Sequence, residues 1–198
     1  FSTPGRFFKE LEKYSKFLPV IEDELQYHAI GCYTSNSKIK KLTRKAENML
    51  QVSEAWSIIS AFLTDFIYPV QELEDNWKVL LFNQFHDTLG GTAIKEAYDD
   101  AYEQLGKVIS TSADIMYEAL FKIINNIDTQ GNGIPFIVFN SSCYKNDSYI
   151  EFEPWMGHVR WKDNFVIVDS KDEEKSHQLL PSTALVHKYR IVFRDILP

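Results

Sequence analysis

Cysteine is the first scarcity. Only two occur in 198 residues, Cys32 and Cys143, far apart in the chain. They form no C-x-x-C pair, which excludes a thiolate metal cluster and a dithiol redox motif. Two isolated thiols suit a reducing compartment better than a disulfide-stapled secreted domain, so a cytoplasmic protein is expected. The triplets Asn140-Ser141-Ser142 and Asn146-Asp147-Ser148 match a glycosylation acceptor and mean little in that setting. Long apolar runs are absent too, and no stretch approaches the roughly 20 residues a membrane-spanning helix needs. Positive charge is in deficit, 21 Lys and Arg against 28 Asp and Glu, a net −7. That balance argues against a nucleic-acid backbone or an anionic membrane surface as the main partner. No secretory leader pattern opens the chain, and with the unpaired thiols this leans towards a bacterial source. The chain starts at Phe1 and stops at Leu197-Pro198. Both ends are expected to be cuts in something longer.

What is present reads as a globular protein, with 44% apolar and 25% charged residues. Ser2-Thr3-Pro4 is a helix start, and Phe7, Phe8, Leu11 and Tyr14 follow at helical spacing up to about Phe17. Pro19 stops that helix, and 18–34 reads as extended and loop-like. A long helix is expected from about Ser35 to Tyr68. Its seam would be Ile39, Leu42, Ala46, Met49, Ser53, Trp56, Ser60, Leu63 and Ile67, alternating steps of three and four. Lys38, Lys40, Lys41, Arg44 and Lys45 would form a solvated basic face, since no aromatics interleave them. Pro69 reverses the chain.

A second helix is expected from about Val70 to His86. Val79, Leu80, Leu81, Phe82 and Phe85 cover more than one side of it, the mark of a helix buried between others. Thr92 would cap a third helix reaching about Ile127, with a seam of Ile94, Tyr98, Ala101, Leu105, Val108, Ser112, Ile115 and Ala119. Three seamed helices on short turns predict an antiparallel three-helix bundle. Beyond Gly131-Asn132-Gly133 the period shortens. Strands are expected at 134–139, 149–152, 165–168 and 183–193, with a charged turn at 171–175. The fold class is therefore mainly α with a β-rich C-terminal part, an antiparallel three-helix bundle followed by an incomplete β-sandwich-like region. The expected domains are 1–34, 35–130 and 131–198. An unfinished sheet has open edges, so self-association is expected and a homo-oligomeric assembly is left open.

The chemistry concentrates at Leu80 to Thr92, where an apolar helix runs into Asn83-Gln84-Phe85-His86-Asp87-Thr88-Leu89-Gly90-Gly91. His86 and Asp87 would sit at the negative end of the second helix, which favours a nearby cation. A neutral imidazole is a common metal ligand, but catalytic zinc needs about three protein donors. His28, His158, His177 and His187 are scattered singly, with no ligand spacing, and core or surface roles are expected for them. Asp87 is otherwise a turn acid, able to orient the imidazole or to accept bonds from sugar hydroxyls. Glu96, Asp99, Asp100 and Glu103 read as a wet helix face near a positive helix end. There is no Ser-His-Asp set and no phosphate loop.

Several stretches together resemble the family 38 glycoside hydrolases, the retaining α-mannosidases. They are Leu18-Pro19-Val20 to Glu24-Leu25, Gly31-Cys32-Tyr33-Thr34-Ser35, Arg44 to Leu50, Asn83 to Thr92, and Phe136-Ile137-Val138-Phe139-Asn140. The resemblance covers nearly the whole chain in order. It implies the end of a catalytic α/β domain (1–34), a central bundle (35–130) and the start of a C-terminal β domain (131–198). It implies that His86 is a ligand of an active-site metal, usually zinc, and that Asp87 binds mannose hydroxyls. The remaining ligands, the nucleophile and the general acid would lie upstream of Phe1, so no catalytic residue is assigned here. Some members carry His-His-Asp where this chain has Phe85-His86-Asp87; the second histidine is the one carried over. The implied reaction is hydrolysis of α-mannosides or oligosaccharides in mannose metabolism, with the piece alone inactive. The alternatives are a non-catalytic helical scaffold and a related hydrolase of modified mannosides such as mannosylglycerate.

Overall fold

The computed structural model describes residues 2–25, 30–153, 165–183 and 189–198. Helix α1 (Pro4–Leu11) begins where Thr3 accepts a bond from the Arg6 N–H at 3.4 Å, with proline in the first turn. A 3-10 stretch, Glu12–Phe17, continues it, and neither buries a residue. Phe7, Phe8, Phe17, Val20 and Ile21 are all exposed. This opening segment has apolar side chains but no core of its own.

The bundle is built from α2 (Ser37–Leu63), α3 (Val70–Asn83) and α5 (Lys95–Ile124). Their order makes α2 and α5 parallel and α3 antiparallel to both. The cross-links agree: Asn36 meets Tyr102, Ser60 meets Ala119, and Asn76 and Asn83 meet Thr111 and Gln104 in reverse order. Asn36 caps α2 by accepting the Ile39 N–H. Helix α2 ends at Leu63, short of the expected Tyr68, because Thr64 turns extended and bonds back to Ser60.

The α5 seam is as expected from Tyr98 to Ala119 and runs on to Ile123, while Ile94 lies outside the helix and exposed. Thr92 is not its cap; the helix begins three residues later, with Ile94 at the cap position. In α2 one rung of the seam is shifted. The buried residues are Ile39, Thr43, Ala46, Leu50, Ser53, Ser57 and Ser60, so the second rung falls four residues after the first and not three. Leu42, Met49 and Trp56 sit one position off the core. The rung that moves is Thr43, Leu50 and Ser57 in place of Leu42, Met49 and Trp56; on the rung that stands, Ser60 donates to the Ala119 carbonyl at 2.9 Å and brings α2 close to α5.

Helix α3 is not the central one. It buries a single stripe, Leu73, Asn76, Leu80 and Asn83, and turns Leu81 and Phe82 to the outside. The core lies mainly between α2 and α5, with Leu73 and Leu80 wedged into it.

The C-terminal part holds a three-stranded antiparallel sheet in the order β1-β5-β4 (Asn146–Phe152, Tyr189–Leu197, His177–Pro181). A two-stranded ribbon joins β2 (Ile167–Val168) to β3 (Glu174–Lys175). Strand β4 was not anticipated, because its His-Gln-Leu-Leu-Pro has no clean alternation. The expected strand at 134–139 does not form. Its aromatics pack instead: Phe136 stacks on Phe152 at 4.5 Å and Phe139 meets Trp56 of α2 at 5.1 Å. That segment ties the sheet to the bundle. The expected 183–193 strand lies partly outside the described residues; β5 supplies its end. Asn140 is consumed structurally, its amide donating to the Tyr144 and Pro198 carbonyls.

Candidate functional site

The turn that carries His86 is built at the bundle end where α2 and α5 start and α3 stops. Helix α3 ends at Asn83, with Gln84 as its cap residue. Phe85 turns extended, and His86 opens a five-residue helix, α4 (His86–Gly90). The imidazole and carboxylate therefore begin a helix and do not end one. The expected help from the negative end of α3 is corrected accordingly: the local dipole of α4 has its positive end here, and over five residues it is small. Gly91 closes α4 with a positive φ of 94°, a conformation that favours glycine.

The polar residues leading into the turn have the partners that burial demands. Asn83 is buried, and its amide donates to the Val79 carbonyl and to Gln104 Oε1. Gln84 donates to Glu47 of α2. His86 differs from them: its side chain is 79% exposed. Its Nε2 lies 3.2 Å from Asp87 Oδ1, and its ring lies 4.2 Å from the Phe85 ring. Asp87 is 58% exposed. The pair thus faces outwards from the bundle.

The fit to a metal can be judged on the donors. One accessible imidazole, oriented by a carboxylate, is a sound single ligand. No group of three His, Cys, Asp or Glu side chains converges among the described residues. The chain is suited to contribute a ligand and does not assemble a complete site from its described residues. His177 packs on the Phe165 ring at 4.8 Å, away from the turn. His28, His158 and His187 lie outside the described residues. Glu96, Asp99, Asp100 and Glu103 are exposed on α5 as expected, Asp99 paired with Lys95.

Comparison with known proteins decides the family. A family model described as the α-mannosidase middle domain matches residues 26–123. The chain belongs to the α-mannosidase middle-domain family. Mouse α-mannosidase 2C1 is 37% identical to it over 103 residues, covering 50% of this chain and 10% of that protein. Dictyostelium discoideum α-mannosidase G is 30% identical over 159 residues, covering 76% of this chain and 14% of that protein. This middle domain thus spans a small part of the relatives it matches. A family 38 glycosyl hydrolase from Enterococcus faecalis superposes over 95% of the chain and 25% of its own length, with TM-score 0.60 and 18% identity. An α-mannosidase from Enterococcus faecalis V583 covers 98% of the chain and 26% of its own length, with TM-score 0.59 and 16% identity. At that identity the two structures speak for the fold alone. No helix of the described residues is long and apolar enough to cross a membrane.

The sequence reading located the His86–Asp87 turn but missed what holds it. Tyr98 appeared only as a seam residue. Its hydroxyl in fact donates to the Thr88 carbonyl at 3.2 Å and accepts the Ala93 N–H at 3.3 Å. A tyrosine in a helix seam is the available signal, since a buried phenol needs a partner.

Proposed function

We propose that this chain is the middle portion of a longer, metal-dependent α-mannosidase, and that it supplies one metal ligand, His86, to an active site completed by a preceding domain. The observation that carries the reading is the exposure of the His86–Asp87 pair at a bundle end, within a domain of the α-mannosidase family. A buried imidazole satisfied by the core would have pointed to a structural role. The domains follow the sequence reading: residues 1–34 trail from the catalytic domain, 35–130 form the bundle, and 131–198 begin the β domain.

In this reading the metal, zinc by preference, supplies Lewis-acid polarisation at hydroxyls of the bound mannose. His86 holds its place in the ligand set with a neutral ring. Asp87 orients that ring through the 3.2 Å contact and accepts a bond from a mannose hydroxyl with its free lone pairs. The nucleophile and general acid come from the preceding domain, with carboxylates about 5–5.5 Å apart as retention requires. The chain alone is then inactive. Substrates are mannosides or oligosaccharides, and a cytoplasmic setting suits two cysteines that are both free.

Hydrolysis of an aryl α-mannoside by the full-length protein tests the reading. Asp87→Asn is expected to lower kcat/KM by about tenfold or more, the scale of a lost charge-assisted hydrogen bond. Hydrolysis at the wild-type rate in both Asp87→Asn and His86→Ala would favour a helical scaffold.

A further inference from the structure

His86 has little to hold it directly. Its two side-chain contacts, with Asp87 and Phe85, are to its own sequence neighbours. The place of the ring is therefore set by the backbone of 85–92. A five-residue helix cannot fix itself, because a single turn costs more ordering than its bonds return. Contacts from outside the turn must do so.

Two are present. From beneath, Tyr98 of α5, 8% exposed, puts one hydroxyl between the Thr88 carbonyl and the Ala93 N–H. That oxygen joins two backbone points five residues apart and so sets the width of the loop. Tyr98 stacks on Tyr102 at 6.2 Å, and Tyr102 exchanges hydrogen bonds with Asn36, the α2 cap. From the other side, Ser35 Oγ lies 2.9 Å from the Gly91 carbonyl and 2.7 Å from the Cys32 carbonyl. A Cβ on Gly91 would fall 2.1 Å from Ser35 Oγ and 2.3 Å from the Cys32 carbonyl oxygen, so the Gly91 backbone lies directly against the 32–35 turn.

We propose that Tyr98 and Ser35 are positioning residues for His86: two hydroxyl clamps, one from the bundle core and one from the segment before α2, that aim the turn carrying the ligand. The proposal rests on the reading of His86 as a metal ligand. Metal–nitrogen bonds tolerate only about 0.2 Å of misplacement, so a slackened turn weakens a ligand that stays chemically intact.

The test measures metal retention against a competing chelator, in the full-length protein, for wild type, Tyr98→Phe, Ser35→Ala, His86→Ala and Val108→Ala. Val108 is buried in the same core but makes no bond to the turn. Each clamp variant is expected to retain metal about three- to tenfold more weakly, the scale of one lost hydrogen bond. Val108→Ala is expected to lower Tm at least as much and to hold metal as wild type does. Wild-type retention in both clamp variants overturns the proposal, as does equal weakening in Val108→Ala. Ser35, being exposed, serves if Tyr98→Phe does not fold. Unchanged retention in His86→Ala is a separate failure: it removes the ligand reading itself.

Discussion

Asn83 donates its side-chain amide to Gln104 Oε1 across 2.8 Å, at the last buried position of α3. The same amide also reaches the Val79 carbonyl at 2.9 Å. This is the polar end of an otherwise apolar interface, and it sets where α3 stops against α5. Replacing Asn83 with alanine removes both bonds and leaves Gln104 without this partner. The expected loss is about 1–3 kcal/mol of unfolding free energy. Urea titration of wild type and variant measures it, and a change within error would mean that the bond does not fix the helix end.

Two glycines give opposite outcomes for one substitution. Gly91→Ala forces a side chain onto a φ of +94° and into the Cys32 carbonyl at 2.3 Å. Strain of this kind costs about 1–3 kcal/mol. Gly106, inside α5, would place a Cβ in open space. Gly106→Ala should stabilise by roughly 0.5–1 kcal/mol through helix propensity. Thermal melts of the two variants should therefore move in opposite directions.

Acid should loosen the β part through one carboxylate. Lys175 bonds to Asp169, and the Lys171 and Glu173 amides donate to it, together holding its pKa down at about 2 from an ordinary 3.8. A depressed carboxylate contributes stability that is present above about 4 and lost as pH falls from there through about 2. Asp169→Asn should lower stability at neutral pH and flatten that acid limb of the stability–pH curve. An unchanged acid limb would show that the contact is not formed in solution.

Apolar side chains stand uncovered at both ends of the bundle. Phe62 is 86% exposed and Phe82 73%. Strands β1 and β4 each have a free edge within the described sheet. The isolated chain should self-associate with rising concentration, read by size-exclusion chromatography. A monomer at every concentration would contradict this.

The bundle was legible because α5 carries a strict three-four seam, Tyr98 to Ala119, that no rival face matches. The α2 rung was misplaced for the converse reason. Leu42, Met49 and Trp56 on one rung rival Thr43, Leu50 and Ser57 on the next, and hydrophobicity does not favour the second, which is the buried one. The girth of α3 misled likewise: Leu81, Phe82 and Phe85 signalled burial, and they face outwards in the described chain. The His86–Asp87 turn could be located from the sequence, since Gly-Gly punctuation and an imidazole stand out. Its exposure, its place at a helix start and its hydroxyl clamps could not. Those depend on contacts between residues as far apart as Ser35 and Gly91.

The central claim is that His86 is a metal ligand. The most direct test is the metal-to-protein ratio of the full-length protein after exhaustive dialysis, by elemental mass spectrometry, for wild type and His86→Ala. The account predicts close to one divalent ion per wild-type chain and a ratio several-fold lower in the variant. Equal ratios in the two proteins would contradict it.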